Sequence, residues 1–135
     1  MALSTQTPNR KLLSHVLVVD DDAPVADVFR TELEKLGYVV DVARNGAEGL
    51  EKLRTSKPKL IILDMIMPKI GGREFLEKLR AEKATFAIPV MVVSHLDSEY
   101  ERKKCEELGI QCFLVKHQHT IGQIIDQAHA ILKRV

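Results

Sequence analysis

Acidic, hydroxyl and amine side chains directly follow four short apolar segments of this 135-residue chain. They are Asp20, Asp21 and Asp22, then Asp64, Ser94 and Lys116. Clustered carboxylates are costly, because two like charges about 4 Å apart repel by about 4 kcal/mol at an effective dielectric near 20. A hard divalent cation such as Mg²⁺ removes that repulsion and commonly shares a phosphate. If these side chains converge, they form a set suited to phosphoryl transfer, with a carboxylate nucleophile and an amine and a hydroxyl that bind phosphoryl oxygens.

The apolar segments that precede these residues are predicted strands, because they are short and rich in β-branched residues. Together with one further segment they span residues 15–19, 38–43, 60–63, 89–93 and 111–115. Three are almost continuously apolar, which is typical of strands that are covered on both faces. The second segment alternates more, which favours a position at the edge of a sheet.

Helical periods separate these strands and follow the last one. The first period has an apolar face of Val25, Val28, Phe29, Leu33 and Leu36. The fourth begins at a Ser98 cap and has a thin apolar face, made only of Tyr100, Cys105 and Leu108. Five strand–helix units in succession predict an α/β domain, a parallel sheet with helices on both faces. In such a sheet ligands bind at the carboxyl ends of the strands, where the polar residues above would meet.

Composition excludes several classes of protein. Twenty basic and 19 acidic side chains leave a net charge of +1, which argues against nucleic-acid binding through net charge. No apolar run approaches the roughly 20 residues that span a membrane, and the N-terminus lacks the apolar region of a secretory signal. We therefore expect a flexible leader over residues 1–14, one domain over residues 15–135, and a cytoplasmic location with reduced cysteines.

Four motifs together resemble the receiver domain of bacterial two-component response regulators. They are VLVVDDD at 16–22, LDMIMP at 63–68, PVMVVS at 89–94 and VK at 115–116, in the family's order. The resemblance covers the chain from about His15 to its C-terminus, and fits a stand-alone receiver or a part of a longer regulator. It implies a doubly wound flavodoxin-like (βα)5 sheet in strand order 2-1-3-4-5.

The resemblance also implies an acceptor and a metal site. Asp64 matches the aspartate that receives the phosphoryl group. Asp21 matches a direct Mg²⁺ ligand and Asp20 a neighbour that acts through water, with Asp64 and the backbone carbonyl of Ile66 as further ligands. Mn²⁺ is expected to substitute for Mg²⁺.

Signalling roles follow from the same resemblance. Ser94 matches a switch hydroxyl, Phe113 an aromatic switch, and Lys116 the lysine that pairs with phosphoryl oxygen. The donor would be a histidine kinase or histidine phosphotransferase. The output would be a downstream protein or self-association through the fourth helix, fifth strand and fifth helix, with no direct nucleic-acid contact and no membrane. Such a chain is no enzyme in the ordinary sense, although apolar Ile66 and Leu96 predict slow self-dephosphorylation.

Two residues depart from the family pattern. His117 stands where a proline usually follows the lysine, and His95 stands where a small residue usually follows the switch hydroxyl. His95 is expected to narrow access to Asp64, and His117 to change the loop. These departures support an alternative, a degenerate receiver that binds proteins without phosphorylation.

Two further alternatives are disfavoured by the residues. A phosphatase with the Asp64 nucleophile would generally need a second acid where Ile66 stands. A transition-metal site would combine His95, His117 and His119 with Cys105 or Cys112, but the histidines fall on different loops and show no zinc-finger spacing.

Overall fold

A computed structural model describes residues 14–135, and the expected leader therefore lies almost entirely outside the described residues. Five strands alternate with five helices. In chain order they are β1 His15–Val19, α1 Ala23–Lys35, β2 Val39–Ala43, α2 Gly46–Lys52, β3 Leu60–Leu63, α3 Gly72–Ala81, β4 Val90–Ser94, α4 Glu99–Glu107, β5 Cys112–Val115 and α5 Ile121–Arg134. A short 3₁₀ turn, Lys116–Gln118, connects β5 to α5.

All five strands are parallel and lie in the order β2-β1-β3-β4-β5. This order is the doubly wound arrangement that the resemblance implied, and it confirms the predicted fold class. The three central strands are buried along almost their whole length, whereas β2 lies at one edge and is only partly buried. Its alternating sequence therefore indicated its position correctly.

Each face of the sheet has its own hydrophobic core. Phe75, Leu76 and Leu79 of α3 pack against one face, together with Cys105 of α4. The other face is covered by α1 and α5, whose buried residues include Phe29, Leu33, Ala26, Ile124, Ile125, Ala128, Ile131 and Leu132. Because helices cover both faces, the ends of the strands are the parts of the sheet that remain open to a ligand.

The apolar faces of two helices differ from the prediction. In α1, Val28 and Leu36 are exposed, and Ala26 takes the inward position beside Phe29. In α4, Tyr100 is 62% exposed and only Cys105 is buried. Tyr100 instead has the guanidinium of Arg73 and the ammonium of Lys104 over its ring, at 5.7 and 5.4 Å from the centroid. A ring that is covered by cations remains at the surface without loss of favourable contacts.

Arg80 of α3 fixes the end of the weakly packed helix α4. Its Nε donates to the carbonyl of Leu108 at 2.7 Å, and one terminal nitrogen donates to Gly109 at 2.7 Å. Its other terminal nitrogen donates to the carbonyls of Phe86 and Ile88. Helix ends leave carbonyls without helical partners, and here a guanidinium provides donors for two of them.

Across residues 14–135, no helix combines the length and the apolar character needed to cross a membrane.

Candidate functional site

Three carboxylates meet at the carboxyl ends of β1 and β3. Asp20, Asp21 and Asp64 each offer one oxygen, and these oxygens all lie within 4.8 Å of one another. The register of the sheet explains this meeting, because Val19 and Leu63 are paired and the Asp64 amide donates to the Val19 carbonyl at 2.9 Å. The predicted convergence of the acids is therefore present in the fold.

Asp20 and Asp22 have different surroundings, although they are two residues apart. The Asp20 side chain is buried, and its Oδ1 accepts from the Asp22 amide at 2.9 Å. Asp22 is exposed and caps α1, with its Oδ1 accepting from the Val25 amide at 3.3 Å. Asp22 therefore serves as a helix cap. Of the three consecutive acids, only Asp20 and Asp21 join Asp64 in the acidic cluster.

The amine of Lys116 reaches this cluster from β5. Its Nζ lies 2.8 Å from Oδ2 of Asp20 and 3.8 Å from Oδ2 of Asp64, and its side chain is only 8% exposed. A buried ammonium is costly unless it is paired, and here it lies between two carboxylates. Three acids and one amine leave an excess of two negative charges in this cluster.

The environment of Asp64 disfavours its ionised form. Burial raises the pKa of the Asp64 carboxyl, and the negative charge of Asp20 acts in the same direction. The Ser94 hydroxyl, the Lys116 ammonium and the Ile66 amide oppose this rise in pKa. The amide of Ile66 donates to Oδ1 of Asp64 at 3.4 Å. A cation beside Asp64 would add to these opposing influences.

The donor set fits a hard divalent cation. Carboxylate oxygens from adjacent strand ends are the ligands that Mg²⁺ takes, and the excess negative charge requires compensation. Asp20, Asp21 and Asp64 are the residues that would hold the ion. The backbone of Ile66 lies next to Asp64 in this loop, which keeps its carbonyl as a candidate ligand.

Ser94 links the end of β3 to the end of β4. Its side chain is fully buried, and its Oγ accepts from the Met65 amide at 3.4 Å and from the Leu96 amide at 3.2 Å. The hydroxyl therefore contacts the residue directly after Asp64. A displacement of this hydroxyl would therefore break hydrogen bonds at the ends of both β3 and β4.

Phe113 is buried in β5 and covered by an arginine from α4. The Arg102 guanidinium lies 4.8 Å from the centre of the Phe113 ring, and its terminal nitrogen donates to the Phe113 carbonyl at 3.1 Å. The phenyl ring is 5% exposed. Arg102 lies in a charged run that is typical of a solvated helix face, and this pattern does not indicate its contact with Phe113.

His95 and His117 lie on neighbouring loops and face each other. Their ring centroids are 6.0 Å apart, the ring planes differ by 12°, and both residues are exposed. The Lys116–His117 peptide bond is trans, and it begins the 3₁₀ turn that follows β5. The structure brings together the two residues that depart from the family pattern.

Gly72 packs against the main chain of the segment that begins at Asp64. A Cβ on Gly72 would lie 2.5 Å from the Asp64 carbonyl oxygen and 2.6 Å from Cα of Met65, both main-chain atoms. On Gly71 the nearest such atom would be the Met65 carbonyl oxygen at 3.5 Å, an ordinary contact. The start of α3 therefore packs directly on the segment of residues 64–71 that carries Asp64, the expected acceptor (the acceptor loop), and only a residue without a side chain fits at position 72.

The chain matches a known protein family over most of its length. Residues 16–128 match the model of the family described as the response regulator receiver domain. The alkaline phosphatase synthesis transcriptional regulatory protein PhoP of Bacillus subtilis is 34% identical over 119 residues, which are 88% of this chain and 48% of that protein. This chain spans about half the length of the curated relatives that it matches.

Solved structures of similar fold lead to the same group. The receiver domain of the Francisella response regulator 1452 is 30% identical, with a TM-score of 0.80 over 90% of this chain and 98% of that one. The Mn²⁺-bound form of response regulator Rcp1 has a TM-score of 0.81 over 90% of this chain and 96% of that one. Its sequence identity is 22%, so this second likeness concerns the fold alone.

Proposed function

Because this chain belongs to the response regulator receiver domain family of two-component signalling, we propose that Asp64 accepts a phosphoryl group. The donor is a phosphohistidine on a histidine kinase or a histidine phosphotransferase. Receiver domains are signalling domains and not enzymes in the ordinary sense, so the product of this step is the phosphorylated chain itself. The proposal rests on one observation, the close approach of three carboxylates and one amine, from Asp20, Asp21, Asp64 and Lys116.

The proposed step is a transfer from nitrogen to oxygen. A carboxylate oxygen of Asp64 attacks phosphorus, the P–N bond of the donor breaks, and its electron pair returns to the imidazole, which takes a proton from solvent. An acyl phosphate forms on Asp64. The Lys116 ammonium, 3.8 Å from Asp64, is near enough to pair with a phosphoryl oxygen after a small movement of its side chain.

We also propose that the chain binds Mg²⁺, with Asp20, Asp21 and Asp64 as the protein ligands. When bound, the ion neutralises the phosphoryl oxygens and holds the donor group beside the carboxylate. The excess of acids over amines in the cluster supports this assignment. Mn²⁺ is proposed as a substitute ion, in keeping with the Mn²⁺-bound form of Rcp1.

The proposed output begins at Ser94 and Phe113. The Ser94 hydroxyl moves towards the phosphoryl group and leaves the amides of Met65 and Leu96, to which it is bonded in this structure. Phe113 then adjusts in β5, which changes the surface formed by α4, β5 and α5. A downstream protein or a second copy of this chain would read that surface.

The relatives point to output in a longer protein. PhoP is named as a transcriptional regulatory protein, and this chain spans about half of it. The net charge of +1 gives no reason to propose direct nucleic-acid binding by this chain. A cytoplasmic location stays part of the proposal, because Cys105 and Cys112 are both free thiols.

The alternative is a degenerate receiver that binds partners without phosphorylation. His95 and His117, which face each other beside Ser94 and Lys116, favour this alternative. The presence of every acid, the hydroxyl and the lysine argues against it.

Mapping the phosphoryl group distinguishes the two functions. After incubation with Mg²⁺ and acetyl phosphate, borohydride reduction converts an aspartyl phosphate to homoserine, which peptide mass spectrometry locates. The proposal expects homoserine at position 64. Homoserine at no position would favour the degenerate receiver, and homoserine only at another position would contradict the assignment of Asp64 as the acceptor.

A further inference from the structure

His95 and His117 lie beside the acidic cluster but take no part in it. Among the described residues, neither imidazole makes a hydrogen bond, and the two rings face each other at 6.0 Å. We propose that His95 and His117 bind a divalent transition-metal ion of the Zn²⁺ type, at a site separate from the carboxylate cluster.

The sheet fixes the separation of the two histidines. His95 directly follows β4, and His117 lies in the turn that directly follows β5. These strands are hydrogen-bonded neighbours whose last residues, Ser94 and Val115, are paired in register. The two histidines therefore lie on different loops in the sequence, yet the parallel pairing brings those loops side by side.

A second contact links the same two segments. The side-chain amide of Gln118, which follows His117, donates to Oδ2 of Asp97 at 3.4 Å. Asp97 lies two residues after His95. The segments are thus joined on both sides of the histidine pair, which reduces the conformational freedom that a metal would have to restrict.

The spacing of the rings suits a shared ion. A Zn–N bond of about 2.1 Å and a nitrogen-to-centroid distance of about 1.2 Å put a ligated ring centre about 3.2 Å from the metal. Two rings at a tetrahedral angle then have centres about 5.2 Å apart. The observed 6.0 Å is within 1 Å of that value, and because the ring planes differ by only 12°, at least one ring would have to rotate before both nitrogens point at the same ion.

Ligand chemistry separates this site from the acidic one. Imidazole nitrogen suits Zn²⁺ and Ni²⁺, whereas Mg²⁺ prefers carboxylate, carbonyl and water oxygens. The cysteines cannot complete the site in this fold. Cys105 is buried with its sulfur 3.8 Å from that of Met65, and Cys112 packs against the opposite face of the sheet. Water would therefore fill the remaining positions of a two-histidine site.

Such an ion would act on the segments that follow Ser94 and Lys116. Because one ligand directly follows each of these residues, a bound ion would connect the two segments and restrain their relative movement. The proposal concerns binding to the unphosphorylated chain, so it can be tested without phosphorylation.

The test is a calorimetric titration of Zn²⁺ into the full chain in the presence of excess Mg²⁺, which occupies carboxylates and leaves imidazoles free. We expect one Zn²⁺ per chain. His95→Ala and His117→Ala should each weaken binding by at least about tenfold, because each removes one of two protein ligands. His119→Ala, a change at the third histidine of this region, should leave binding unchanged.

A further variant tests whether Zn²⁺ binds at the acidic cluster and not at the histidines. Asp21→Asn removes one carboxylate of the acidic cluster and should leave the Zn²⁺ affinity within about twofold of the parent. The proposal would be overturned by an absence of Zn²⁺ binding to the parent, by full affinity in either the His95 or the His117 variant, or by loss of binding in Asp21→Asn. Melting curves of each variant establish that it is folded.

Discussion

Lys116, at the end of one edge strand, is paired with Asp20 at a distance of 2.8 Å, across the two strands β3 and β4 that lie between them in the sheet. Both side chains are almost completely buried. The amine is 1.0 Å closer to Asp20 than to Asp64, given its 3.8 Å distance from the latter. In this structure the lysine is therefore hydrogen-bonded to Asp20, and its ion pair with the proposed acceptor Asp64 is the longer of the two.

Removal of Asp21 should stabilise the metal-free protein. Asp21 is exposed, yet one of its oxygens lies within 4.8 Å of oxygens of Asp20 and Asp64. Asp21→Asn relieves that repulsion, and we expect a gain of about 1 kcal/mol in the free energy of unfolding at low salt. The stabilisation that Mg²⁺ gives the parent should be largely lost.

Asp22→Asn is the matched control. It removes a charge one residue away, and asparagine caps a helix as well as aspartate does. Thermal melting with and without Mg²⁺ should show a parent-like response in this variant. An unchanged Mg²⁺ response in Asp21→Asn would contradict the acidic metal site.

Gly72→Ala should disturb the acceptor loop. The added methyl group would meet the Asp64 carbonyl and the main chain of Met65 at distances that no contact tolerates, so the loop or α3 must shift. We expect a loss of about 1–3 kcal/mol in the free energy of unfolding.

Gly71→Ala provides the comparison, because the nearest atom to its methyl group would be at 3.5 Å. It loses only a preference at the helix cap, for a cost below about 1 kcal/mol. Urea unfolding of the two variants measures the difference. Equal losses of stability would refute the close packing of α3 on the acceptor loop.

Arg102 should hold Phe113 in its buried position. Its guanidinium provides a cation–π contact and a hydrogen bond to the Phe113 carbonyl, and neither is available to glutamine in the same form. Arg102→Gln should lower the free energy of unfolding by about 1 kcal/mol and increase the mobility of the Phe113 ring.

The ring signals of Phe113 in NMR spectra report this change directly. Lys103→Gln, which removes an exposed cation from the next position of α4, should leave those signals in place. If Arg102→Gln also left them unchanged, Arg102 would have no role in positioning the ring.

Polar groups near Asp64 should shorten the life of the phosphorylated form. Ile66 is 57% exposed in the acceptor loop, and Leu96 follows Ser94 by two residues. Neither side chain can hydrogen-bond an attacking water molecule. We expect the double variant Ile66→Asn, Leu96→Glu to lose its phosphoryl group several times faster than the parent, as measured by the decay of the phosphorylated mass. Equal or slower decay would contradict this view of the two apolar residues.

The alternating strands and helices and the acidic cluster could be predicted from apolar runs and the polar residues that follow them, whereas the strand order was implied by the family resemblance. Residues 15–19 and 60–63 are largely apolar runs that are each directly followed by an acid. Because the two strands pair in parallel, the residues that follow them lie close together. The edge position of β2 was likewise indicated by its own alternation. Asp22 caps α1, and Pro24 in the first turn of that helix is a sequence signal of a helix start.

The contacts that were not predicted depend on how long side chains and neighbouring elements meet in three dimensions. The four hydrogen bonds of Arg80 and the cover of Arg102 over Phe113 depend on where a long side chain finds a partner. Tyr100 was expected to face inward, but two cations from α3 and α4 cover its ring at the surface. The meeting of His95 with His117 requires the pairing of β4 with β5, which no spacing along the chain reveals.

The most direct test of the phosphoacceptor assignment is the intact mass of the chain after incubation with acetyl phosphate and Mg²⁺. We expect the addition of one phosphoryl group to the parent, none when Mg²⁺ is removed by EDTA, and none in Asp64→Asn with Mg²⁺ present. Equal phosphorylation of the parent and of Asp64→Asn, or an absence of phosphorylation in the parent with both acetyl phosphate and a cognate kinase, would contradict it.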